Sequence, residues 1–213
     1  YENPANGAGI RGFLNSHNGT CWSHYWLNWD GFALSAAIAI GVVCDRKDIY
    51  DHAVNYYKSI GTGNGLATHA VYFMHPGYLG QSQEMGRDMG HASLDPVVFA
   101  EFAEVGWNQG EDLYGFNDNG ILAMSEYTSR VMTGDETPWV NYAGCDVNTT
   151  GRASGSNYRA GLDMLWNHYV NRRGLSARRS HHRLALAVQA ARGAAGVAFD
   201  LDRRVADGEA VAQ

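Results

Sequence analysis

Cysteine is scarce, with Cys21, Cys44 and Cys145 alone among 213 residues. An odd, widely spaced set makes no disulfide framework and no zinc spacing; it leaves room for one bridge. Basic residues are outnumbered, 16 Lys and Arg against 22 Asp and Glu, for a net charge of -6. A general nucleic-acid binder would carry a basic face, so that class is set aside. A polyanion is not, because a local Arg and His cluster can focus an anion within an acidic protein. No apolar run reaches membrane-spanning length. No stretch alternates convincingly with the period of two that marks a strand. No leader precedes Tyr1, and the chain opens inside what reads as an ongoing domain, as though the start were missing.

What is present fits a globular chain with one sizeable core: 45% hydrophobic and 18% charged residues. Gly31 to Cys44 is almost wholly apolar and reads as a buried helix, with Asp30 placed to cap it. After the polar turn Asp45 to Asp48, Ile49 to Ser59 carries Ile49, Ala53, Tyr56 and Tyr57 at helical spacing. The two segments read as an antiparallel hairpin. Gly61 to Gly65 lacks the lysine and the preceding strand of a phosphate loop, and reads as a helix end. Leu66 to Leu79 reads as loop or short irregular helix. Ala92 to Trp107 is a further helix with Pro96 in its first turn, where proline is tolerated. Asn108 to Asn119 is a polar loop without calcium-loop spacing. Gly120 to Thr133 is amphipathic, and Gly134 to Ser156 reads as loop. Tyr158 to Arg172 carries the stripe Leu162, Leu165, Trp166, Tyr169 and Val170. The fold class expected is all-α, built from helix hairpins joined by long polar loops.

The chemistry concentrates in Gly80 to His91, GQSQEMGRDMGH, where two amides, two carboxylates, a guanidinium and an imidazole lie among small glycines. The run leads into a helix, where backbone donors are unpaired and anions are welcome. The plainer alternative is a hydrogen-bonded loop tying two helices together. Arg87 can pair with Asp88, or with Glu84 at helical spacing. Thr20 to Trp29 mixes Trp22, His24, Tyr25, Trp26, Asn28 and Trp29, as either a cleft wall or a buried aromatic corner.

Gly80 to His91, continued by Ala103 to Tyr114, resembles the alginate lyase family, whose relatives include glucuronan lyases built on an (α/α) toroid. The similarity extends upstream through Trp22 to Asp30 and downstream through Glu126-Tyr127 and Asn167-His168-Tyr169. It covers about Asn18 to Ala177. The resemblance implies an incomplete (α/α) toroid and β-elimination on an acidic polysaccharide, with no cofactor and no metal. It also implies a secreted or periplasmic location, and no nucleic-acid or membrane partner. The family's catalytic Asn, His and Arg match Asn28, His91 and Arg159. Its tyrosine is less plainly matched: one of two expected positions is Trp166, leaving Tyr169 or the neighbouring Tyr158. Helical spacing would put Arg159, Trp166 and, rotated somewhat, Tyr169 on one side. Candidate substrate contacts are Trp22, Tyr25, Trp29, Gln81, Glu84, Arg87 and Trp107, with Glu84 and Arg87 in supporting roles rather than as acid and base.

Such chemistry needs a neutralised C5 carboxylate, a base for the C5 proton and an acid for the departing O4. Asn, His and Arg suit the first task; Tyr or His suits the others. Two alternatives stand beside it. One is a glycoside hydrolase using Glu84 with Glu104 or Asp112. The other is a non-catalytic glycan-binding remnant. Residues 1–176 are expected to form the lyase-like domain. From Ala177 Trp and Tyr vanish while Ala and Arg dominate, so 177–213 is expected to be a non-homologous tail.

Overall fold

The structure is a computed structural model that describes residues 1–2, 9–17, 26–59, 65, 69–144, 147–157, 159 and 161–175. Trp22, Tyr25, Tyr158, Cys21, Cys145, residues 61–64 and the tail 177–213 lie outside the described residues.

The chain is mostly helical, with two small two-stranded sheets. Helix α1 covers Ile10–His17, α2 Leu27–Val43 and α3 Lys47–Tyr57. α2 is apolar on nearly every side, and it packs against α1, α3 and α5 (Leu94–Asn108). An all-round apolar helix has nowhere to go but the centre. Gly41 lets it approach α3: a Cβ there would stand 2.7 Å from the Tyr50 backbone nitrogen. Asp45, with φ of 51°, turns the chain between the two helices. The expected hairpin is therefore present. Its first helix begins four residues before the apolar run, so Asn28, Trp29 and Asp30 are helical. Asp30 does not cap; it is fully buried and accepts hydrogen bonds from His17 and, at 2.8 Å, from Tyr56.

Tyr57 forms the aromatic centre of the core, with Phe102 at 4.7 Å, Phe116 at 5.6 Å and Phe99 at 5.7 Å. Its hydroxyl donates to the Leu113 carbonyl, so the ring is buried without stranding a polar atom. Helix α6 spans Phe116–Met132, but Asn117, Asp118 and Asn119 are left-handed, and the regular part starts at Gly120.

The strands were not legible as period-two segments because they are so short. β1 (Phe73–His75) pairs antiparallel with β2 (Leu79–Gln81), and β3 (Tyr142–Ala143) with β4 (Asn148–Thr149). After β2 comes a 3-10 turn, Gln83–Gly86, then the single-turn helix α4, Met89–Ala92. Helix α7 covers only Leu162–Trp166 and continues as a π-helix over Asn167–Arg172. The expected α-helical wheel from residue 158 onward therefore does not apply.

Candidate functional site

Met85 and Met89 act as two pegs. They enter a small core with Leu79, Ala92, Tyr127 and Val131, which pins the Gly80 to His91 stretch onto α6. Gly86 lies so close to β4 that a Cβ would collide with the Thr149 side chain, and the Ala153 amide donates to the Met85 carbonyl at 2.7 Å. With the methionines held inside, polar residues between and just after them face outward. Arg87, Asp88 and His91 have side chains 30%, 49% and 34% exposed.

Gln83 and Glu84 turn the other way. Gln83 Oε1 accepts from the Leu27 amide at 2.7 Å and Glu84 Oε1 from the Asn28 amide at 3.1 Å. Trp26, the residue that opens α2, supplies no side-chain cap. Two side chains from a segment more than fifty residues away cap the helix instead. At the entry where the run leads into its own helix, the His91 amide is likewise taken, by Asp88.

Glu84 is fully buried. Burial raises its carboxyl, against the opposing pull of the Asn28 amide, Arg87 and His91. Asp95, also fully buried, accepts from Ser82 Oγ at 2.7 Å. Burial first, and the Glu84 charge second, push the Asp95 carboxyl well above the usual range. Both carboxyls are thus raised by burial, while Glu84 alone faces the helix amide and Arg87, which pull the other way.

Asp88 organises the outer face. Its Oδ1 accepts from the His91 backbone amide at 3.0 Å, capping α4, while its Oδ2 lies 2.6 Å from His91 Nδ1. Slight burial raises the Asp88 carboxyl, but the hydrogen bonds from the His91 ring and backbone outweigh it and hold it below its usual value. An ionised Asp88 can only accept, so the Nδ1 proton is fixed there and Nε2 is left as the basic nitrogen. Among the described residues Nε2 has no hydrogen-bond partner.

Arg159 meets the same turn. Its Nη2 donates to the Gly90 carbonyl at 2.8 Å and its Nε to Ser93 Oγ at 3.3 Å. Both partners are neutral, and Arg159 makes no ion pair with any described residue. Asn28 is 5% exposed, with Oδ1 buried and unpartnered among the described residues. Asn28 meets Glu84 through its backbone amide, Arg159 meets the α4 turn that carries His91, and Arg87 lies 4.8 Å over the Trp26 ring.

Other candidates lie elsewhere. Tyr169 is 1% exposed and donates to the Tyr114 carbonyl at 2.9 Å. Tyr114 in turn bonds Ala100 and Glu104 on α5. Glu104 lies about 16 Å along α5 from Ser93 at 1.5 Å per residue, so Tyr169 is a core residue, not a site phenol. Trp107 sits at that far end too, edge-on to His168 at 4.8 Å. Gln81 is fully buried and saturated by His75, Tyr72 and Val140, so it braces the hairpin and does not reach a ligand. Glu84 is likewise sealed from a substrate. Trp29 is 51% exposed on α2, 6.4 Å from the Phe13 ring. The carboxylates weighed for hydrolysis are separated. Glu104 pairs with Arg172 at 2.7 Å and Asp112 with Arg173 at 2.8 Å, whereas Glu84 is buried against the start of α2.

Two residues of this neighbourhood were not singled out from the sequence. Trp26 was one ring among several. Asp88 was read as a partner for Arg87, although its position three residues before His91 carried the signal of a cap that also reaches an imidazole.

No metal-holding group of His, Cys, Asp and Glu occurs among the described residues, and none of their helices is long and apolar enough to cross a membrane. Comparison with protein-family models, curated proteins and solved structures finds no match to this chain.

Proposed function

We propose that this protein is a polysaccharide lyase that cleaves a uronic acid polymer of the alginate or glucuronan kind by β-elimination. One observation carries it. A histidine held in a single tautomer by Asp88 lies beside an arginine, Arg159, whose charge no described carboxylate neutralises. That is a base next to an unmet cation, which suits a substrate that is both an anion and a carbon acid.

Arg159 and Asn28 take the uronate carboxylate. Neutralising it makes the C5 proton acidic by letting charge spread onto the carboxylate oxygens as the proton leaves. His91 Nε2 removes that proton. The C5 electron pair then forms the C4–C5 double bond as the C4–O4 bond breaks, and O4 takes up a proton. Tyr158, next in the chain to Arg159, is the phenol the sequence supplies for that last step. No redox cofactor or metal is needed in this scheme. A secreted or periplasmic location suits a polymer substrate. The helix pairs α2–α3 and α5–α6 are proposed as hairpins of an incomplete (α/α) toroid; an experimental structure whose helices do not follow a ring would reject that arrangement.

The test is a panel of polyuronates incubated with the wild type and with His91→Asn. Asparagine keeps a donor near the Nδ1 position for Asp88 but has no counterpart of Nε2. Wild type should generate the ultraviolet absorbance of unsaturated ends on at least one polymer, and His91→Asn should not. Equal activity of the two proteins would remove His91 from the chemistry.

A further inference from the structure

We propose that Arg87, laid over Trp26, is a carboxylate-binding subsite for the sugar acid adjacent to the one at His91, an assignment that rests on the lyase reading above. Several arginines elsewhere on the molecule are already satisfied. Arg46 holds Asp48 at 2.7 Å through two nitrogens, Arg172 holds Glu104 at 2.7 and 2.8 Å, and Arg173 holds Asp112 at 2.8 Å. Arg87 has only long pairs, 3.5 Å to Glu84 Oε2 and 3.9 Å to Asp88 Oδ2. Charge-assisted hydrogen bonds run at about 2.7–2.9 Å, so neither distance uses up a donor.

Both Asp88 oxygens are engaged by His91, and Glu84 accepts from the Asn28 amide through Oε1 while its buried Oε2 faces one Arg87 nitrogen, Nη1, leaving the other donors of Arg87 without a close partner. What fixes Arg87 is the indole beneath it, with the guanidinium carbon 4.8 Å from the ring centroid. Stacking covers one face of the guanidinium and leaves its edge, where the N–H groups point. An edge presented this way matches a carboxylate taken by two nitrogens, and a lysine cannot reproduce it.

The location fits a neighbouring sugar. Arg87 Nε and His91 Nδ1 both approach Asp88 Oδ2, at 3.9 and 2.6 Å, so the two nitrogens lie within about 6.5 Å of each other. That is comparable with one sugar ring. The capped amides at the start of α2 do not compete for the anion, because Gln83 and Glu84 already occupy them.

The experiment measures binding, apart from turnover. His91→Asn protein is titrated calorimetrically at low salt with short β-1,4-linked glucuronic acid oligomers, and with cello-oligosaccharides of the same length as the neutral control. The parent should prefer the acidic oligomer. Adding Arg87→Ala should weaken the acidic oligomer about tenfold, the scale of one charge-assisted contact, and leave the neutral one unchanged. Arg87→Lys should restore little. Undiminished acidic binding in Arg87→Ala, an equal loss for both oligomers, or no acidic preference in the parent would each overturn the subsite. The lyase reading is judged separately, by unsaturated ends from the wild type, so an active enzyme with an indifferent Arg87→Ala sinks the subsite alone.

Discussion

Asp88→Asn separates orientation of His91 from stability of its helix. An asparagine at 88 can still accept the His91 amide through its side-chain oxygen, and Asn caps a helix about as well as Asp. The lost charge–imidazole pair is half exposed, with Asp88 at 49%, so it contributes at most about 1 kcal/mol to stability. The melting temperature should therefore hardly move. The catalytic effect should be far larger. The asparagine NH2 would face Nδ1 and favour the tautomer with the proton on Nε2, which removes the base. The equivalent change in serine proteases costs about 10⁴-fold, and a loss of about 10³–10⁴ is expected here, or roughly 4–5.5 kcal/mol of barrier. The assay is the initial rate of unsaturated-end formation, read beside the nitrogen shifts of the His91 ring by NMR. Asp88→Ala should lose the same activity and, in addition, about 1 kcal/mol of stability from the missing cap. An Asp88→Asn enzyme with a normal rate, or with its Nδ1 still protonated, would refute this account of His91.

Three further outcomes follow from the packing. Tyr169→Phe should leave turnover unchanged while costing about 1–2 kcal/mol in urea unfolding, because the buried Tyr114 carbonyl loses its donor; a large drop in kcat would restore Tyr169 to the site. Asp95 has a folded-state carboxyl well above its unfolded value, so the stability it confers is complete below about pH 4 and is lost as pH rises through the folded value. Asp95→Asn, neutral throughout and still able to accept from Ser82, should flatten the fall in urea midpoint with rising pH; parallel curves for variant and wild type would contradict the assignment. Gly86→Ala should destabilise by about 1–3 kcal/mol through overpacking against Thr149, measured as a lowered melting temperature, and an unchanged value would show that the turn does not dock on β4 as described.

The helices that could be read from the sequence were those whose burial is written locally. The apolar run through Val43 marked α2, the proline at 96 marked the first turn of α5, and the stripe from Leu162 to Tyr169 marked the last buried segment. The site was partly legible for the same reason: the polar residues of Gly80 to His91 are contiguous. What was hidden depends on distant partners. Nothing near Leu27 and Asn28 announces that Gln83 and Glu84 cap them. The β1–β2 pair is three residues to a strand, too short for alternation to show. Tyr169 became a candidate through the resemblance, and its place on the stripe did not say which way the phenol points; its burial and its bond to Tyr114 turn it into the core.

The most direct measurement is the ratio of unsaturated to reducing ends produced as the wild-type protein cuts a polyuronate. Proton removal by His91 with departure of O4 predicts one unsaturated end for every new reducing end. Reducing ends without unsaturation, at any stage of the digest, would contradict elimination.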